Sequence, residues 1–133
     1  MVLVNAKVLV DVLADDPARR EWSETRLLEI AATEELAINP IIYAEVSAAY
    51  HSAAAVERAL SRLGLVRLPL PYEAGFIAAQ AFVTYRRGDG AKRSPLPDFY
   101  IGAHAQTANL RLLTRDAARY RTYFPKVRLI TPE

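Results

Sequence analysis

Short apolar runs that alternate with longer amphipathic segments are the feature that most restricts how this chain can fold. Five runs have the length and composition of buried strands: residues 1–4, 36–38, 65–68, 110–114 and 127–130. Strands that alternate with helices along a chain form parallel sheets covered by helices. The sequence therefore predicts an α/β sandwich with a central, mainly parallel sheet.

Capping residues, Pro, Gly and apolar spacing predict where the intervening helices lie. Asp16 followed by Pro17 is a good helix start, and Gly64 is a good helix end. Residues 86–97 predict the main loop because they are basic and rich in Gly and Pro. The predicted helices cover residues 7–14, 17–34, 40–50, 54–63, 72–85, 98–108 and 116–124.

Composition restricts the class of protein further. The 133 residues fit one domain, residues 1–133, and the absence of cysteine excludes disulfides and cysteine-bound zinc. The apolar N-terminus is short and is interrupted by Lys7 and Asp11, so we expect no signal peptide or membrane span and a cytoplasmic location. A net charge of +2 does not by itself indicate a nucleic-acid partner.

Four acidic or near-acidic positions fall at similar places relative to the predicted strands. Asn5 follows the first strand, and Glu45 lies early in the helix after the second. Asp98 begins the helix before the fourth strand. Thr114 lies at the end of that strand, and Asp116 follows two residues later. Ligand sites of open parallel sheets lie beyond the carboxyl ends of the strands, so these side chains could meet there.

Converging carboxylates repel one another unless a cation lies between them. Mg²⁺ or Mn²⁺ prefers oxygen ligands and, bound to a phosphodiester, activates water for in-line attack. The sequence offers no obvious Ser/His or Cys/His nucleophile pair. Metal-assisted hydrolysis is therefore the favoured reaction class. The competing interpretation is that Asp98 and Asp116 are only helix N-caps.

Four segments carry a family resemblance over nearly the whole chain: VLVDVLADDP, INPIIYAEVSAAY, LPDFYIGAHAQ and LLTRDAARYRTYFPKVRLITP. In them the chain resembles the PIN domains of virulence-associated protein C (VapC) toxins. The last two segments are the more specific. The resemblance implies a PIN-like three-layer sandwich and a Mg²⁺-dependent endoribonuclease. It also implies the role of a toxin held by a cognate antitoxin, and a homodimer.

The resemblance assigns the site to particular residues of this chain. The family's acidic set falls on Glu45, Asp98 and Asp116, with Thr114 as the polar neighbour. The first member should be the Asp of an Asp-Thr-Asn-like motif, but the chain reads Asn5-Ala6-Lys7. Asn5 can offer a carbonyl oxygen as a catalytic or metal ligand but lacks the charge that attracts Mg²⁺. Lys7 could turn inward and pair with Asp98 or Asp116, or turn outward into solvent.

Other residues allow weaker interpretations. The basic segment 86–93, together with Arg115, could follow an RNA backbone or be solvated surface. His104 is expected to be a packed, hydrogen-bonded histidine and not a metal ligand. The aromatic residues Trp22, Phe76 and Phe82 are expected in the core or an interface, and residues 41–50 in a dimer surface or antitoxin groove.

The sequence leaves three functions open for this chain. The favoured one is a Mg²⁺-dependent RNA endonuclease whose activity is weakened at Asn5. The second is a catalytically impaired PIN domain that acts mainly as an antitoxin-binding partner. The third is a phospho-accepting receiver-like module. It is disfavoured because its lysine should follow a late strand, where this chain has Thr114-Arg115-Asp116.

Overall fold

The computed structural model describes residues 1–89 and 96–132. In these two ranges the chain forms five strands and seven helices that alternate much as the sequence predicts. In chain order they are β1 (Val2–Val4), α1 (Ala6–Leu13), α2 (Arg20–Ala31), β2 (Leu36–Ile38), α3 (Pro40–Ser47), α4 (Ala53–Ser61), β3 (Val66–Arg67), α5 (Tyr72–Asp89), α6 (Leu96–Thr107), β4 (Arg111–Leu113), α7 (Ala117–Tyr123) and β5 (Leu129–Ile130).

The five strands form one sheet in the order β3-β2-β1-β4-β5. All the strand pairs are parallel, which makes the sheet fully and not only mainly parallel. The chain moves from β1 through β2 to β3 on one side and then returns to place β4 on the other side of β1. Such a reversal opens a crevice at the carboxyl ends of the two central strands. Here those strands are β1 and β4.

The core lies on both faces of this sheet. Every residue of β1 and β2 is buried. Because successive side chains of a strand point to opposite faces, helices must cover the sheet on both sides. The largest fully buried side chains include Phe99, Tyr120 and Phe124 from the C-terminal part. In the described part of the chain no helix is long and apolar enough to span a membrane.

Several predicted boundaries are wrong, for local reasons. Helix α2 begins at Arg20 and not at Pro17, after one turn. Asp16 nevertheless makes the predicted capping contacts, because its Oδ1 accepts hydrogen bonds from the backbone N–H groups of Ala18 and Arg19. Helix α3 ends at Ser47, so residues 48–50, which belong to the predicted helix, lie outside the observed one.

Residues 86–89 and 96–97 of the predicted loop 86–97 are helical, and its residues 90–95 lie outside the described part. Helix α5 continues to Asp89, and the Arg86 guanidinium stacks on the Phe82 ring at 5.7 Å. Helix α6 begins at Leu96, before Asp98. Phe76 was expected in the core or in an interface, and the first alternative is wrong because the residue is 69% exposed. The second alternative stays a prediction.

The contact between α6 and the end of α7 leaves no room for a side chain at Gly102. A Cβ atom added there would lie 2.5 Å from Cδ2 of Phe124, a ring that is buried in the core. Gly102→Ala should therefore lower the free energy of unfolding by about 1–3 kcal/mol, even though Ala favours helix. Urea denaturation measures this change.

Gly88→Ala in α5 is the matched control, because a Cβ there meets nothing within 4 Å. It should raise the free energy of unfolding by about 0.5–1 kcal/mol. A Gly102→Ala protein as stable as the wild type would show that α6 and Phe124 pack less tightly than described.

Candidate active site

A pocket of about 270 Å³ opens at the carboxyl ends of β1 and β4. It contains all three carboxylates of the predicted acidic set, together with Asn5. Its lining residues are Asn5, Ala6, Lys7, Val10, Glu45, Asp98, Arg115 and Asp116. The position matches the crevice expected from the sheet topology.

Asn5 is buried at the base of this pocket and uses both ends of its amide. Its Nδ2 donates to Oγ1 of Thr114 at 3.1 Å and to the hydroxyl oxygen of Tyr120 at 3.2 Å. Its Oδ1 accepts from the backbone N–H of Ala6 at 2.8 Å, where α1 begins. The oxygen that could serve as a metal ligand is therefore committed to the backbone.

Asp98 and Asp116 share one cationic group. Nη1 of Arg119 lies 2.6 Å from Oδ2 of Asp98 and 3.3 Å from Oδ2 of Asp116. Asp98 projects from the first turn of α6, and Arg119 lies one turn after Asp116 on α7. The two carboxylates therefore face one common point, and a positive charge fills that point.

The structure contradicts the interpretation of these two residues as helix caps. Asp98 lies inside α6, because the helix begins at Leu96. Asp116 occupies the N-cap position of α7 but makes no side-chain capping hydrogen bond. The prediction that Asp116 caps this helix is therefore wrong for its side chain. Both carboxylates turn toward the pocket instead.

Burial changes the proton affinity of the carboxylates. It raises the pKa of Asp98, an effect that the guanidinium of Arg119 partly offsets. Burial also raises the pKa of Glu45, and the negative charge of Asp98 raises it further. Lys7 lowers both pKa values from the pocket rim, yet it is exposed and makes no ion pair within the described residues. Lys7 thus fits neither alternative fully. It does not pair with Asp98 or Asp116, but its charge still acts on Glu45 and Asp98.

The donor set fits a hard divalent cation in part. No three Asp, Glu, His or Cys side chains of the described ranges come close enough together to hold a metal ion. Mg²⁺, however, often uses only one or two carboxylates and keeps several waters. Asp98 and Asp116 supply two carboxylate ligands at one point, which is the number that Mg²⁺ often uses. That point already holds a cationic group.

A buried ion pair fixes Arg115 at the edge of the pocket. Its Nε lies 2.7 Å from Oδ2 of Asp11, and its Nη2 lies 3.1 Å from Oδ1 of the same carboxylate. The hydroxyl of Ser23 donates to Oδ2 of Asp11 at 2.6 Å. Two-point pairing of this kind orients the guanidinium plane. Arg115 is therefore a fixed cation beside the acidic pocket.

His104 is a packed, hydrogen-bonded residue, as the sequence predicts. Its ring is buried, and Nδ2 of Asn39 lies 2.9 Å from its Nδ1. Oδ1 of Asn39 accepts from the backbone N–H of Ile42, so the amide nitrogen faces the ring and can only donate. The ring is therefore neutral with its proton on Nε2, and burial lowers its pKa.

Sequence reasoning missed three residues that shape the site: Asp11, Arg119 and Tyr120. Arg119 was detectable, because residues three apart on a helix are neighbours and Asp116 lies three before it. Asp11 and Tyr120 carry no such local signal. Tyr120 is buried, and this burial raises the pKa of its hydroxyl well above the usual value.

Comparisons with known proteins agree with this fold. The PIN domain family model matches residues 2–125, so the chain belongs to the PIN domain family. A comparison with curated protein sequences gives no significant match.

Three solved structures show the likeness in three dimensions. The chain is 18% identical to one from "VapBC2 from Rickettsia felis bound to a DNA fragment from their promoter", with a TM-score of 0.73 and 98% of each chain covered. It is 25% identical to one from a toxin-antitoxin complex of Klebsiella pneumoniae, with a TM-score of 0.64 and coverage of 100% of this chain and 98% of that chain. It is 16% identical to Mycobacterium tuberculosis VapC20, a "Sarcin-Ricin loop cleaving toxin", with a TM-score of 0.62 and coverage of 96% and 99%.

The buried neutral state of His104 makes stability depend on pH. The folded-state pKa lies below the unfolded value of 6.5, so the unfolded chain gains a proton first as the pH falls. The stability that comes from neutral His104 is complete above pH 6.5 and is lost below it. His104→Gln should reduce the difference in unfolding free energy between pH 7.5 and 5.5 by up to about 1 kcal/mol. Urea denaturation at the two pH values measures it.

His51→Gln is the matched control, because His51 is exposed. The pocket carboxylates titrate in every variant, so their contributions cancel in the comparison. If His104→Gln keeps the full wild-type pH dependence, the neutral, Asn39-bonded state of this ring is wrong.

Proposed function

We propose that this chain is a Mg²⁺-dependent endoribonuclease and the toxin of a type II toxin–antitoxin pair. The observation that carries the proposal is the convergence of Asp98 and Asp116 on one cationic group beside a pocket that both carboxylates and Glu45 line. Neither carboxylate caps its helix, so capping does not account for either. Membership of the PIN domain family and the VapC-type structural neighbours support the same conclusion.

Asp98 and Asp116 would hold the metal directly, and Mn²⁺ would serve as well as Mg²⁺ by the same oxygen chemistry. When bound, the ion polarises the phosphate and activates water for in-line attack. Glu45, Asp98 and Asp116 do not come close enough together to form a three-residue metal cluster, so we assign Glu45 a contribution through water. Asn5 and Thr114 would position the base of the pocket, because Asn5 bonds to Thr114 and to the start of α1.

The remaining pocket residues suit the handling of an RNA phosphodiester. Glu45 has a raised pKa, which makes its carboxylate a better proton acceptor for the attacking water. The water oxygen forms a bond to phosphorus and its proton passes to Glu45. The bond from phosphorus to the leaving oxygen breaks with its electron pair on that oxygen, which takes a proton from solvent. Arg115 is held by Asp11 at the pocket edge and would contact a neighbouring phosphate.

The partners belong to the same proposal. A cognate antitoxin is supported by the neighbour from Klebsiella pneumoniae, which is a toxin–antitoxin complex by description, and by the VapBC2 neighbour from Rickettsia felis. A homodimer follows from the family resemblance alone. A cytoplasmic location agrees with an RNA substrate.

A second function is a catalytically impaired PIN domain that mainly binds its antitoxin. The specific observation in its favour is the state of Asn5, whose oxygen is bonded to the Ala6 N–H and whose amide brings no charge. The two functions differ in one measurable property, because only the first requires RNA cleavage that depends on the metal.

RNA cleavage with added Mg²⁺ tests the proposal. Asp98→Ala should reduce the cleavage rate by at least about 100-fold, because it removes one of the two direct ligands. Asn5→Asp should bind Mg²⁺ about tenfold more tightly and cleave faster, because it adds a carboxylate that can accept hydrogen bonds from Thr114 and Tyr120. Cleavage rates over a Mg²⁺ titration measure both effects.

Glu21→Ala on the exposed surface of α2 is the control for general loss of negative charge, and it should cleave like the wild type. Cleavage that survives Asp98→Ala would remove the proposed site. A wild-type protein without activity, beside an active Asn5→Asp variant, would favour the impaired, antitoxin-binding function.

A further inference from the structure

We propose that Arg119 is a built-in competitor for the metal: its guanidinium occupies the cation position between Asp98 and Asp116 and must leave when the metal binds. The inference rests on the proposed function, since it concerns the same site. It adds a residue that sets the metal affinity of this chain.

The contacts of Arg119 place its charge where a metal would have to lie. One nitrogen, Nη1, contacts Oδ2 of both Asp98 and Asp116, at 2.6 and 3.3 Å. A metal bound by the same two oxygens would lie within about 2.0–2.1 Å of each, in nearly the same space. The two cations therefore exclude one another.

The charges of the pocket explain why a cation is needed there without metal. Glu45, Asp98 and Asp116 bring three negative charges, and Lys7 and Arg119 bring two positive charges. Arg115 also lines the pocket, but its charge is offset by Asp11. Half-buried carboxylates are costly to leave unpaired, so Arg119 stabilises the metal-free fold.

The position of Arg119 on α7 allows it to leave the pocket. Its side chain is 27% exposed, so the guanidinium can turn toward solvent while the backbone of the helix stays in place. Among the described residues its hydrogen bonds all go to these two carboxylates. Arg115 differs in this respect, because it is tied to the buried Asp11.

An ordinary structural salt bridge would have a different consequence. If Arg119 only fastened α7 to α6, its removal would lower stability and leave metal affinity unchanged or reduced. If Arg119 competes with the metal, its removal lowers metal-free stability but increases metal affinity. The sign of the change in affinity therefore separates the two roles.

Direct Mn²⁺ binding to the full chain tests the inference without reference to catalysis. Electron paramagnetic resonance of free Mn²⁺ at pH 7.5 gives the dissociation constant. Arg119→Met should bind Mn²⁺ at least about tenfold more tightly than the wild type, because it removes both the competing hydrogen bonds and one positive charge. Arg119→Lys keeps the charge and should remain within about threefold of the wild type.

Two further variants complete the experiment. Arg121→Met removes an exposed arginine from the same helix, and it should bind Mn²⁺ like the wild type. Arg119→Gln provides a neutral side chain that can still donate to Asp98, so the test remains decisive if Arg119→Met does not fold. It should also bind Mn²⁺ more tightly than the wild type.

The outcomes distinguish the inference from the proposed function. Tighter binding in Arg119→Met or Arg119→Gln, with Arg121→Met unchanged, supports competition. Equal or weaker binding in both neutral variants, beside measurable binding in the wild type, overturns the role of Arg119 but leaves the metal site. No Mn²⁺ binding in any folded variant overturns the metal site itself, and the competition with it.

Discussion

The parallel pairing of β1 with β4 is the interaction on which the site depends. Its register places Val4 beside Leu113, and the backbone N–H of Asn5 continues the ladder by donating to the Leu113 carbonyl oxygen at 2.9 Å. The pairing therefore carries Asn5 and Thr114 to the same end of the sheet, close enough for their side chains to bond. A slip of one residue would turn Thr114 to the opposite face and separate the two.

Charge compensation is the second constraint, and it links the unusual Asn5 to its surroundings. A fourth carboxylate at this position would add another negative charge to a pocket where burial already raises the pKa values of Glu45 and Asp98. With an amide there, the three carboxylates of Glu45, Asp98 and Asp116 face two cations, Lys7 and Arg119. The net charge of these five groups is then −1. The amide also bonds both Thr114 and Tyr120, so it is well accommodated in the metal-free protein.

Elements with strong local signals were predictable from the sequence. The five apolar runs became the five strands, and the polar residues that follow them met at one edge of the sheet. The errors lay in helix bounds: Asp16 makes the predicted capping hydrogen bonds, yet α2 begins only at Arg20, one turn later. The pair of Asp11 and Arg115 was not predictable, because only the assembled sheet brings together residues 104 positions apart. Which way a side chain turns, as for Asp98 and Asp116, is likewise decided by neighbours from other elements.

The long sequence separation between the partners of the pocket has a consequence for synthesis of the chain on the ribosome. Asn5 meets Thr114 across 109 positions, and Asp11 meets Arg115 across 104. A nascent chain whose α6, β4 and α7 are still inside the ribosome has neither Asp98 nor Asp116 available, and β1 still lacks its neighbour β4. Domains fold as units as they emerge, so the acidic pocket forms only after β4 and α7 have left the ribosome. The unfinished polypeptide therefore cannot bind metal in the way proposed for the complete domain.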